Sequence, residues 1–186
     1  TYPPQGVPYV PTPSYPNGIP MAPSFEGMPP QGTPSPQVPM QQARIRTTVI
    51  AVNSSKGGVG KSSISKELAS AFALAKIPTA PGMPPDRLKV CLVDMDLDYG
   101  NISAMLRLNP IPNIASWASD INERLKKGED YKRILYTPEQ FEPYLLTHHE
   151  TGLRVLAAPV LPTEALQVND QTVEVIVESL KAYFDV

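Results

Sequence analysis

The run Lys56-Gly57-Gly58-Val59-Gly60-Lys61-Ser62-Ser63 has the residue types and spacing to hold a chain of phosphates. Glycine lets the backbone approach a ligand closely and turn its N–H groups inward. Lys61 is spaced to reach the β- and γ-phosphates, and the Ser62 hydroxyl to ligate Mg²⁺. The order around the loop is also right for this chemistry. An apolar, β-branched run, Thr47-Thr48-Val49-Ile50-Ala51-Val52, precedes it and predicts a strand, and a stretch of helical period follows. The N-terminus of that helix adds its partial positive charge to the same point.

A second group of chemical residues comes about thirty positions later, a spacing within one strand–helix–strand unit. Leu88 to Val93 is a short apolar run, which predicts a strand covered on both faces, and Asp94, Asp96 and Asp98 follow it directly. A carboxylate just past a buried strand can orient an attacking water or bind Mg²⁺ through water while the glycine loop holds the phosphates. Asp98 also fits an acidic residue in a solvated turn. Asp94 and Asp96 lie closer to the strand, which directs them toward the loop's end of the sheet.

The loop departs from the plain phosphate-loop pattern, with Ser55 where a glycine is usual and an added lysine, Lys56. Lys-Gly-Gly-x-Gly-Lys-Ser is a deviant Walker A motif and resembles that of the MinD/ParA superfamily. The resemblance implies a P-loop ATPase that binds ATP with Mg²⁺ through Lys56, Gly57, Gly58, Val59, Gly60, Lys61, Ser62 and Ser63. It gives Lys56 a role across an ATP-sandwich homodimer, beside Lys61 in catalysis. Asp94-x-Asp96 is similar to the family's second acidic motif, with Asp96 tied to hydrolysis and Ser62, Asp94 and Asp96 around the metal. The longer string Asp94-Met95-Asp96-Leu97-Asp98-Tyr99-Gly100-Asn101-Ile102 resembles the TadZ/CpaE branch, as does Gly152 to Pro159 with Pro162, Glu164 and Ala165 after it. The likeness runs from about Arg46 to Val186, and the Walker B strand expected just after Val186 makes the chain read as the N-terminal part of a longer domain.

The elements that must position these residues alternate. After the loop, Ile64, Leu68, Ala71, Phe72 and Ala75 repeat at helical spacing from Ser62 to about Lys76. The prolines between Ile77 and Arg87 predict a surface loop. Asn113 caps a helix with the stripe Ile114, Trp117, Ala118, Ile121 and Leu125, and Gly128 stops it. Thr137-Pro138-Glu139-Gln140 marks a second start, Leu153 to Ala157 a further strand, and Asp170 the start of a helix with Val173, Ile176, Val177 and Leu180 on one face. Tyr183 to Val186 reads as the approach to another strand. This is the alternation of an α/β fold, a P-loop NTPase with a mainly parallel sheet flanked by helices, over residues 43–186.

The first forty residues are of another kind. They hold more than half of the chain's 23 prolines and Glu26 as their single charge, so residues 1–42 are expected to be a disordered or polyproline-like arm. Such an arm serves as a tether, or as a docking strip through its Pro-Tyr and Pro-x-x-Pro elements. A formal net charge of -2 gives no long-range attraction for nucleic acid or an anionic membrane. The one cysteine, Cys91, excludes an internal disulfide, as in a reducing cytoplasm. No run is apolar and long enough to span a bilayer. His148 and His149 are adjacent and read as a solvated pair, Trp117 as core, and Lys126 and Lys127 as charges complementing a helix C-terminus.

The resemblance thus implies a cytoplasmic ATPase that switches between monomer and ATP-dependent homodimer. It would help to localise or assemble a type IVb (Flp/Tad) pilus secretion machine, recruited by partners to the inner face of the membrane or a cell pole. Two other readings fit the same residues: a ParA-type chromosome or plasmid partition ATPase, and a positioning scaffold that binds nucleotide without turnover.

Overall fold

The computed structural model describes residues 47–78 and 84–186. The arm read over residues 1–42 and the middle of the proline-rich insertion lie outside them. Helix α1 (Lys61–Leu74) leads from the glycine loop into a small hairpin of β1 (Lys76–Pro78) and β2 (Pro85–Arg87). Then follow β3 (Cys91–Val93), α2 (Ile102–Met105), α3 (Ile114–Lys126), α4 (Pro138–Phe141), β4 (Leu146–His148), β5 (Leu153–Leu156), α5 (Pro162–Ala165) and α6 (Asp170–Lys181).

The main sheet has the order β3-β5-β4. Strands β3 and β5 are parallel, with Leu92 opposite Val155, whereas β4 runs antiparallel to β5, with Thr147 opposite Arg154. The sheet is therefore mixed, where the sequence predicts a mainly parallel one. The antiparallel strand arises because the turn at Glu150–Gly152 returns the chain at once, with Gly152 at φ 77° and its N–H donating to His148 O at 2.8 Å. A parallel pair needs a crossover instead, and the helices between β3 and β5 supply it.

Alternation along β5 sends its side chains to two cores. Leu153 and Val155 are buried with Val90, Ile102, Leu106 and the Ala69 and Ala73 of α1. Leu156 is buried on the other face among Ile114, Trp117, Ile121, Phe141, Val175 and Ile176. Trp117 is fully buried and stacks on Tyr144 at 5.5 Å, with Tyr136 edge-on at 5.5 Å. Each such large side chain contributes about 1.5–3 kcal/mol by leaving water.

Local signals account for the helix starts. The Asn113 side chain accepts the N–H of Ala115 and Ser116, and Ser116 Oγ takes the Asn113 N–H at 3.4 Å, which closes a capping box on α3. Gln140 takes the Thr137 N–H at 2.9 Å, and Asn169 caps α6 through Thr172 N–H at 3.1 Å. Helix α1 forms where its period places it, but it buries a different stripe. Ala69 and Ala73 are buried, with Phe72 of the predicted stripe packed beside them, while Ile64 is exposed and Leu68 is only partly covered. Methyl-sized side chains allow the helix to lie close on the strands.

Two further expectations are corrected. The ends of the proline-rich insertion pair as β1 and β2, with Ile77 opposite Asp86, so the whole is not a plain loop. Thr47–Val52 has no regular secondary structure and joins no ladder. Its Thr48 N–H donates to Asp185 O at 2.9 Å, and no second backbone bond fixes it among the described residues. A strand needs such a ladder along its length, and Val49 and Ile50 stay 63% and 45% exposed for want of it. On the other side, the Asp185 and Val186 N–H groups donate to Lys89 O, and the Cys91 N–H to Val186 O at 3.0 Å. Asp185 and Val186 thus bond to Thr48 on one side and to Lys89 and Cys91 on the other, without forming a strand.

Candidate functional site

The glycine loop is held by its own backbone. Gly58 and Gly60 adopt φ 72° and 89°, the left-handed region in which other residues are strained. A Cβ on Gly57, Gly58 or Gly60 would meet no atom within 4 Å. The packing of this chain therefore leaves room there, and the positive φ values at Gly58 and Gly60 are the constraint. The Lys56 N–H donates to Ser54 Oγ at 3.2 Å, and Lys56 itself is exposed, as are Gly57, Gly58, Val59 and Ser63.

Lys61 is the first residue of α1 and Gly60 its cap, with no side-chain bond to the first turn. No acidic residue lies in that turn, so no carboxylate of the turn itself competes for its free N–H groups. Ser62 is half-buried beside Lys61. The end of a helix in this state is a place for anions.

The acidic turn stands at the end of β3. Asp94 is buried, 5% exposed, and its backbone N–H donates to Leu156 O at 2.9 Å across the parallel pair. Its Oδ1 accepts the Asp96 N–H at 3.3 Å and its Oδ2 the Ile102 N–H at 3.1 Å. Burial raises its pKa above the ordinary carboxylate value, against the lowering effect of the Ile102 and Asp96 amides. Asp96 is exposed and accepts the Tyr99 N–H at 3.1 Å through Oδ1, a one-turn ring that fixes its side chain. Asp98 is exposed.

These parts meet. A cavity of about 540 Å³ runs between Thr47–Val52 and β3, and Lys61, Ser62, Asp94 and Asp96 line it together with Asn53. Its remaining walls are mostly apolar, from Phe72, Val90 and Phe184 among others, with Ser65 and Lys181 also on the lining. The structure therefore brings the lysine and serine of the loop to the same cavity as two carboxylates. Lys56 and the glycines stay on the open loop. Among the described residues no group of three or more His, Cys, Asp or Glu side chains could hold a metal unaided. A cation placed here would depend on Ser62, the carboxylates and oxygens of a bound phosphate.

Residues 45–125 match a family model described as ParA: NUBPL iron-transfer P-loop NTPase. The match supports a MinD/ParA-type P-loop NTPase. It takes in the glycine loop, the acidic turn and most of α3, and nucleotide binding is the property it carries. No curated protein matches the chain. Helices with a small mixed sheet are compatible with the α/β architecture of such proteins. No described helix is long and apolar enough to cross a membrane.

Several placements are not legible in the sequence. Gly100 packs against Ala158 across the sheet end, a contact without local signal. His148 lies in β4, with Nδ1 2.9 Å from Thr151 Oγ1, and only His149 is in the exposed turn the sequence predicts for both. Trp117 is core, as its stripe predicts.

Proposed function

We propose that this chain binds ATP with Mg²⁺ at the glycine loop and works as a nucleotide-dependent dimerisation switch with ATPase activity. One observation carries the reading: Lys61, Ser62, Asp94 and Asp96 line the same cavity at the start of α1. Loop amides and the α1 N-terminus would hold the phosphates, with the Lys61 ammonium on the β- and γ-phosphates. Ser62 would ligate the metal, with Asp94 and Asp96 reaching it through water. Mg²⁺ would neutralise charge on the phosphate oxygens. Asp96 would orient the water that attacks the γ-phosphorus, with ADP leaving. Lys56, exposed on the loop, would reach the nucleotide of a second copy, so that ATP favours the dimer and hydrolysis releases it.

The likeness of Asp94–Ile102 and Gly152–Pro159 to the TadZ/CpaE branch supports a role in localising or assembling a type IVb (Flp/Tad) pilus machine. The iron-transfer part of the matched description has less support here, because Cys91 is the single thiol and lies in β3. Calorimetric titration of ATP with Mg²⁺ into the full chain and Lys61→Ala tests the nucleotide reading. Removing a charge-assisted contact to phosphate should weaken binding at least about tenfold, and equal affinity sinks the assignment.

A further inference from the structure

Gly100 occupies a position with no room for a side chain. A methyl group built on its Cα would lie 2.1 Å from Ala158 Cβ, 2.7 Å from the Asp96 carbonyl oxygen and 2.8 Å from Asp94 Oδ2. All three are closer than real Cβ atoms come to a non-bonded neighbour. Its φ lies outside the left-handed region, so space and not backbone freedom demands the glycine. The phosphate-loop glycines are the reverse case, with open space around each.

The neighbours of Gly100 are informative. Two belong to the acidic turn itself, and the third, Ala158, follows β5 and is buried. The same turn is tied to β5 at its start, through Asp94 N–H to Leu156 O. Within it, Asp94 holds the amides of Asp96 and Ile102, and Asp96 holds that of Tyr99. The two carboxylates therefore cannot move independently of the turn, and the turn cannot lift from β5 without opening the Gly100–Ala158 contact.

We propose that Gly100 and Ala158 are a positioning pair. Their close approach sets the height of the acidic turn over the sheet end, and with it the place of Asp96 relative to Lys61 and Ser62. The geometry stands by itself; its consequence for catalysis rests on the nucleotide reading.

The test compares full-chain wild type with Gly100→Ala, Ala158→Val and the double variant Gly100→Ala/Ala158→Gly. Gly100→Ala should lower kcat for ATP at least about tenfold and leave ATP affinity within about threefold, because the phosphate loop is untouched. Ala158→Val crowds the same contact from the other side and should do likewise. It carries the test if Gly100→Ala does not fold. The double variant removes the shortest of the three contacts and should recover part of the lost kcat. A merely structural defect would lower stability without that rescue or the split between kcat and affinity. Exchange of the Ile102 amide, measured without nucleotide, should quicken in Gly100→Ala and slow again in the double variant. If wild type fails to bind ATP, the nucleotide reading falls, and Ile102 exchange still decides the pair. Unchanged Ile102 exchange in Gly100→Ala, kcat within about twofold of wild type in both single variants, or a double variant no better than Gly100→Ala overturns the proposal.

Discussion

The buried carboxylate of Asp94 accepts the backbone N–H of Ile102 at 3.1 Å, eight residues further on. That bond closes the acidic turn onto the start of α2 and leaves Asp96 as the exposed carboxylate of the pair at the cavity. The two acids thus have different surroundings. One is enclosed, and the other, held by the Tyr99 N–H through Oδ1, is exposed where a ligand can meet it.

The enclosed acid gives a pH prediction. Burial raises the folded-state pKa of Asp94 above the ordinary 3.8. Between the ordinary and the raised value, the folded chain keeps a proton that the unfolded chain has lost. Stability from this group therefore falls as pH rises through that window and stays lost above it. Asp94→Asn should flatten this part of the profile, while lowering stability throughout because its amide offers one acceptor in place of two. Urea titrations of both proteins from about pH 4 to about pH 7 measure the two slopes. Equal slopes would show that Asp94 does not carry this dependence.

Lys56 and Asp96 should fail in different ways. Lys56→Ala keeps Lys61 and the loop amides, so it should still bind ATP yet remain monomeric and turn over poorly. Asp96→Ala should bind ATP, dimerise and persist as the ATP-bound dimer, because water is no longer placed. Light scattering with ATP beside a phosphate-release assay separates them. Normal ATP-dependent dimerisation of Lys56→Ala would refute the sandwich. Dimerisation of wild type without any turnover would favour the scaffold.

Cys91 should be a poor nucleophile in the native chain. Burial pushes its thiol up to about 12, with the Arg154 charge only partly opposing it. The thiolate is the reactive form, so alkylation near neutral pH should run at least about a hundredfold slower than for a free thiol. Mass spectrometry of iodoacetamide labelling, native against urea-unfolded, checks this. Equal rates would mean that the strand end opens readily.

Asn113 links α3 to the segment after β5. It caps Ala115 and Ser116 and donates from Nδ2 to Glu164 Oε2 at 3.3 Å, while Glu164 also takes the Val160 N–H at 3.0 Å. Asn113→Ala should cost about 1–2 kcal/mol in a denaturation midpoint, the range of a lost cap. A loss under about 0.3 kcal/mol would mean that water replaces the cap without penalty.

The sequence by itself determined what depends on near neighbours. The glycine loop, a helix starting within one residue of Ser62, the caps at Asn113 and Thr137 and the apolar stripe of α3 are set by residues a turn or less apart. The stripe of α3 also identified Trp117 as core. Tertiary structure decided what depends on distant backbone. Thr47–Val52 has the composition of a strand, yet strand character requires a ladder, and among the described residues only the Thr48 backbone finds a backbone partner, at Asp185. Strand β4 came from a tight return at Gly152 that its own composition did not announce. Asp94 and Asp96 look alike in sequence, and burial against β5 made one enclosed and the other exposed. Nothing near Gly100 in the sequence announces its requirement, which comes from Ala158, 58 positions away in the chain. Backbone propensity acts over a few residues, whereas burial and close approach exist only once the sheet and helices have assembled.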